Sequence, residues 1–134
     1  MLPFEFIIEG PPVSQQTRRR AKLREWKRLV REEAESRWPS EAIPHIEQLM
    51  IKITYFYDED LMDVDNIPKP ISDALNGLVY HDDEQLTDNY TRKRNLTDDL
   101  RVENRSTVLA SGLSLGTDFL YIVIDEAPNQ KVID

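Results

Sequence analysis

"MDVDNIPKPISDALNGLVYHDDEQL", residues 62–86, decides how this chain is read. Five aspartates and one glutamate crowd into 25 positions, and Lys69 sits between the pairs Asp63/Asp65 and Asp82/Asp83. The middle of the stretch predicts a short helix. Asn66 is a good N-cap for a helix starting at Ile67, and Pro68 and Pro70 fall in the first turn, where a missing N–H costs little. Ile71, Ala74, Leu75 and Leu78 supply a buried face, and Gly77 suits the C-terminal cap.

Outward from this helix the pattern changes to strands. QLMIKITYFY (48–57) is rich in β-branched and aromatic residues and precedes the acidic loop; Leu86–Arg94 reads as a strand after it. FEFIIE (4–9) and FLYIVI (119–124) are two further strands, the first closed by Gly10, Pro11 and Pro12. Residues 18–37 read as a helix whose apolar stripe is Leu23, Trp26, Val30 and Ala34, ended before Pro39. Residues 95–117, with their Ser, Gly and Thr, favour loops. The order β-α-β-α-β-β predicts an α/β (α+β) fold: one compact domain over 1–134, a mixed sheet with helices packed on it.

Composition limits the function. The 134 residues suit one core, 40% of them hydrophobic and 31% charged. Absent cysteine excludes disulfides, thiolate metal sites and cysteine nucleophiles. No apolar run approaches the roughly 18–20 residues that span a bilayer, and the opening MLPFEFIIEG does not read as a signal peptide, so the expectation is a cytoplasmic protein with no membrane partner. Net charge is −8, yet Arg18, Arg19, Arg20, Lys22, Arg24, Lys27, Arg28 and Arg31 fall within 14 positions against the single acid Glu25. A second basic run, Arg92, Lys93 and Arg94, follows the acidic cluster. A basic arm and an acidic centre result.

Asp63 and Asp65, two apart, project to one side if the segment is extended. A strand–helix–strand unit of this length could return Asp83 beside them. Three close carboxylates repel and protonate unless a cation neutralises them, and Mg²⁺, a hard ion that keeps waters and accepts phosphate oxygens, is the natural one. Lys69 lies in the first turn of its helix, where the macrodipole disfavours a cation, so it is expected to face an anion such as a scissile phosphate. DEDLMDVDN lacks the glycine and terminal glutamate of an EF-hand loop. His81 reads as a surface or hydrogen-bonding residue.

DVDNIPKPISDALNGLVYHDD resembles the signature of the RusA family of Holliday-junction resolvases: D-x-D-N, a lysine, "DAL-G", then "DD". GPPVSQQTRRR is similar to the family's G-x-PVS-x-x-x-R opening, and FLYIVIDE is compatible with its last strand; the resemblance spans about residues 4–126, with 95–117 unmapped. It implies a bacterial or prophage-encoded, homodimeric, Mg²⁺-dependent endodeoxyribonuclease (Mn²⁺ as a substitute) that resolves four-way DNA junctions in recombination and repair. It assigns metal binding to Asp63, Asp65 and Asp83, with Asp82 the alternative third carboxylate, and a catalytic or phosphate-contacting role to Lys69.

DNA affinity is then expected from Arg18, Arg19, Arg20, Arg24, Lys27, Arg28 and Arg31, with Lys93 from the second run. The dimer is expected to form through the strand at Tyr55, Phe56 and Tyr57 or through the helix side bearing Trp26 and Trp38. Two rival readings stand beside this one. A catalytically silent branched-DNA-binding protein would have little need of intact Asp63, Asp65, Asp83 and Lys69. A Mg²⁺-dependent phosphatase or nucleotide hydrolase would leave the Arg18–Arg31 array idle.

Overall fold

The computed structural model describes residues 2–59 and 62–134. β1 (Phe4–Glu9) leads into α1 (Arg20–Arg37), β2 (Leu49–Tyr57), α2 (Pro68–Ala74), β3 (Leu86–Asn95), α3 (Thr107–Leu113) and β4 (Phe119–Glu126). The sheet order is β1-β4-β2-β3. β2 and β3 are parallel, joined across α2, whereas β4 runs antiparallel to both β1 and β2. The result is a mixed four-stranded sheet in one α+β domain, as the sequence predicts. No helix among the described residues is long and apolar enough to cross a membrane.

Strand alternation divides the sheet into two unequal faces. Phe4, Phe6 and Ile8 of β1, Leu49, Ile51, Ile53 and Tyr55 of β2, and Leu120, Ile122 and Ile124 of β4 all enter one cluster. α1 covers it with Leu23, Trp26, Val30 and Ala34, the stripe predicted from helical spacing, and α2 adds Ile71, Ala74 and Leu75. The opposite face holds a smaller cluster of Phe56, Phe119 and Leu109, with the Phe56 and Phe119 rings stacked at 4.7 Å.

That smaller cluster contains the main departure from expectation. Residues 95–117 are not all loop, because α3 lies within them. Ser106 caps the helix, its Oγ accepting from the Leu109 N–H at 3.1 Å. Gly112 lets it sit close to the sheet: a Cβ there would lie 2.3 Å from the Phe119 ring.

Three local readings also change. α1 begins at Arg20, two residues later than predicted. Val64–Asn66 forms a 3₁₀ turn, so Asn66 ends that turn and Ile67 takes the N-cap position of α2, without a side-chain cap bond. α2 stops at Ala74, and Gly77, with φ of +79°, occupies the left-handed position of the following turn.

Most of the aromatic surface expected to form a dimer is buried, with Tyr57 half-buried. β2 is an interior strand with Tyr55 and Phe56 buried, and Trp26 and Trp38 are buried in the main core. Their large apolar areas are consumed inside the protomer.

Candidate active site

The parallel pairing of β2 and β3 leaves the two halves of the acidic stretch at opposite ends of the strand pair: Asp63 and Asp65 follow the C-terminal end of β2, and Asp82 and Asp83 precede the start of β3. α2 crosses between them, and Tyr80 ties the return to that helix: its buried hydroxyl donates to the Ser72 carbonyl at 2.6 Å. Burial pushes this hydroxyl's pKa well above the ordinary tyrosine value, so it remains a donor. Asp82 then caps a short 3₁₀ turn, Asp83–Gln85, accepting from the Glu84 N–H at 2.9 Å and completing a capping box with Gln85. Gln85 fastens the turn to the carbonyls of His45 and Glu47, both at 2.9 Å.

This turn points Asp83 at Lys69. The Lys69 ammonium donates to Asp83 at 2.8 Å and pairs with Asp73, one helical turn along α2, at 2.9 Å. Lys69 holds the Asp83 carboxyl below the usual carboxylate range, against partial burial that pushes it up, with further help from Asp82 and Asn76. Asp83 first, then Asp73, raises the ammonium above the ordinary lysine value. Lys69 is thus held between two carboxylates of its own chain. A cleft of about 210 Å³ opens beside the pair, lined by Ile51, Leu86 and Asn89 among others. Of the two adjacent aspartates, Asp83 is engaged with the lysine and Asp82 with its own turn.

Asp63 and Asp65 lie just before α2, at the N-cap and inside the 3₁₀ turn. The segment is therefore not extended, and strand alternation gives no reason for them to share a side. Both are exposed, and neither side chain makes a hydrogen bond or ion pair among the described residues. Lys27 of α1 approaches Asp73 at 3.5 Å. Lys27 and Lys69 thus offset Asp73 and Asp83, whereas Asp63 and Asp65 have no cation partner among the described residues. All-oxygen donors of this kind fit a hard divalent cation. As placed, no three His, Asp or Glu side chains among the described residues converge into a metal-holding group.

The basic residues fall into two groups. Arg18, Arg19, Lys22 and Arg24 are exposed and their side chains are unpaired among the described residues; Arg20 is also exposed and donates only to the Thr17 carbonyl, at 3.2 Å. The others are occupied. Arg28 is ion-paired with both Glu25 and Glu32. Arg31 pairs with Glu35 at 3.0 Å and donates to the carbonyls of Ala74 and Asn76 at the end of α2, where a cation also suits the helix dipole. Lys93 donates to the Met62 carbonyl at 2.9 Å and so anchors the start of the acidic turn.

The unpaired group begins close to the acids. The Gln15 N–H donates to the Asn66 carbonyl at 3.2 Å, and Arg18 follows three residues later, within about 10 Å of chain reach.

Three supporting residues lie outside the sequence expectations. Asp73 has a signal, its i,i+4 spacing to Lys69. Gln15 and Asp118 carry no comparable one. Asp118 accepts from the Tyr55 hydroxyl at 2.7 Å and the Asp58 N–H at 2.8 Å, fixing the exit of β2 toward the acidic segment from a position far along the chain.

An α+β domain with an aspartate–lysine cluster at the end of a parallel strand pair, flanked by unpaired arginines, has the makings of a phosphodiester-handling protein. Residues 10–103, well over half of the chain, match the family model described as endodeoxyribonuclease RusA, and the chain belongs to that family. Membership makes it a nuclease of the endodeoxyribonuclease type. The matched span includes the whole acidic stretch and α1, while β1, α3 and β4 lie outside it. A comparison with curated proteins returns no match.

Proposed function

We propose that the protein is a divalent-cation-dependent, structure-selective endonuclease that resolves four-way DNA junctions by paired phosphodiester hydrolysis, in the service of recombination and repair. The contact between Lys69 and Asp83 across fourteen residues carries this reading. It gathers a cation and an ionised carboxylate at one point, and the turn that leads into the same helix carries Asp63 and Asp65, which have no counter-charge among the described residues.

Asp63, Asp65 and Asp83 would hold Mg²⁺, or Mn²⁺ in its place, with Asp82 retained as the cap of its turn. Bound there, the cation would polarise the scissile phosphate and lower the pKa of a coordinated water. Lys69 supplies positive charge toward a non-bridging phosphate oxygen, where stabilisation counts most as negative charge grows. Asp73, paired with Lys69 at 2.9 Å, would keep the lysine oriented with Asp83 among the residues that hold the cation. Arg18, Arg19, Arg20 and Arg24 bind the flanking backbone and offset the repulsion between DNA and the acidic centre.

Two matched nicks on opposing strands call for two sites related by the junction's approximate two-fold axis, which a C₂ homodimer provides. The test is cleavage of a synthetic four-way junction with and without Mg²⁺, alongside sedimentation equilibrium at micromolar concentration. Metal-dependent paired nicks by a species of twice the 15.7 kDa chain mass are expected. A protein that binds the junction but never cuts it, or hydrolyses only phosphomonoesters, would overturn the proposal.

A further inference from the structure

β3 sends its basic residues to opposite faces of the sheet. In register with β2, Lys93 pairs with Tyr55 on the acidic-site face, whereas Arg92 pairs with Thr54 and Arg94 with Phe56 on the α3 face. On that second face Arg92 and Arg94 join Arg101, from the loop after β3, around a cleft of about 370 Å³. Its floor is apolar, with Phe56 and Leu109 contributing.

The geometry points to a second phosphate-binding cleft here, one that takes a phosphodiester or nucleotide phosphate on its three guanidinium groups while the sugar or base rests on the apolar floor. Arg92 is preorganised: its Nε donates to Thr54 Oγ1 at 2.7 Å and its guanidinium lies 5.5 Å from the Tyr90 ring centroid. That leaves its terminal nitrogens to bind a ligand. Arg94 donates only to the Lys93 carbonyl among the described residues, at 2.8 Å. Arg101 has Glu103 at 3.6 Å, with the two side chains 89% and 72% exposed, and so loosely held a surface pair competes weakly with a ligand. Of the other carboxylates that alternation places on this face, Glu5 is bonded to Ser106, Glu9 lies across the sheet on β1, and Asp88 and Asp125 are in register with Met50, toward the far end of β2.

Edge strands often carry cations merely to stay soluble. A solvated edge does not require Arg92 to be locked over an aromatic ring at the mouth of a cleft, in a chain whose net charge is −8. Planar guanidinium groups match phosphate oxygens in a way that point charges do not. The cleft lies across the sheet from Lys69 and Asp83, so any phosphate it holds is not the one cut at the same site.

The assignment of the phosphate to DNA rests on the nuclease reading; the anion cleft itself does not. The test titrates ¹⁵N-labelled full chain with thymidylyl-thymidine, which has one phosphodiester, and separately with thymidine monophosphate. The arginine Nε–H signals of Arg92, Arg94 and Arg101 are expected to shift together and saturably. The pair R92Q/R94Q should lose roughly tenfold or more in affinity, as expected when charge-assisted bonds are removed, while R92K/R94K keeps a part of it. Tighter binding of the dinucleotide assigns the cleft to the DNA backbone; equal or tighter binding of the monophosphate assigns it to a free nucleotide. No shift with either ligand at millimolar concentration, in protein whose thermal melt is intact, overturns the cleft. Because the readout needs no cleavage, it is decided separately from nuclease activity.

Discussion

Replacing Arg19 and Arg24 with alanine should flatten the salt dependence of junction binding far more than replacing Arg28. All three belong to the basic arm, but only Arg28 already has partners, Glu25 and Glu32, whereas Arg19 and Arg24 are unpaired among the described residues. Removing one cation from a phosphate lowers the slope of log K against log salt by about 0.9, so the double variant should lose about 1.8 units. Between about 50 and 200 mM salt, roughly 0.6 log units, the wild type should then lose about 1.1 decades more affinity than the double variant. Arg28→Ala frees two glutamates near the DNA, so its affinity should fall by repulsion while the slope changes by much less than about 0.9. The assay is fluorescence anisotropy of a labelled four-way junction over a KCl series, without divalent cations so that no cleavage intervenes. A double variant with the wild-type slope, or an Arg28→Ala slope that falls by about 0.9 or more, would refute the division of the arm into occupied and free cations.

Asp65→Asn should abolish metal-dependent cleavage while junction affinity stays within a few-fold of wild type, because the proposed function gives the carboxylate to the cation and the arginines to the DNA; gel-resolved nicking at the wild-type rate would contradict this. Asp83→Asn should remove an acid-side stability contribution. The folded carboxyl titrates below its unfolded value, so the contribution is present above the unfolded pKa and is lost as pH falls from about 4 downward. With Lys69 54% exposed, solvent screening limits the contribution to about 0.5–1 kcal/mol, so the urea midpoints of variant and wild type should differ near pH 6 and converge at strongly acid pH. Gly112→Ala should cost about 1–3 kcal/mol in denaturant unfolding with an unchanged m-value, since its new methyl meets the Phe119 ring; an unchanged midpoint would show that the ring yields freely.

What can be read from the sequence follows the range of each interaction. The stripe Leu23, Trp26, Val30, Ala34 and the strand around Ile51 and Ile53 are periodic, and periodicity is local, so α1 and β2 are legible almost to the residue. α3 is not. Its seven residues include Ser111 and Gly112, poor helix formers, and the helix is placed by a capping serine and by its packing on Phe119, which no pattern within the helix reveals. The 3₁₀ turn at Val64–Asn66 escapes for a related reason: alternation applies to Asp63 and Asp65 only in an extended chain, and here the chain already coils.

The site divides the same way. Charge clustering and helix polarity single out Asp63, Asp65, Lys69 and Asp83, all within one short stretch, but they cannot reveal which cations are already occupied. That Arg31 caps α2, Lys27 meets Asp73 and Lys93 holds the Met62 carbonyl depends on packing between elements far apart in sequence. A count of basic residues therefore overstates the unpaired positive charge of α1. The same packing sends Arg92 and Arg94 away from Lys93, so a run that reads as one patch serves two faces of the sheet. Alternation along β3 thus separates a cation that builds the acidic turn from two that can bind a ligand on the other side.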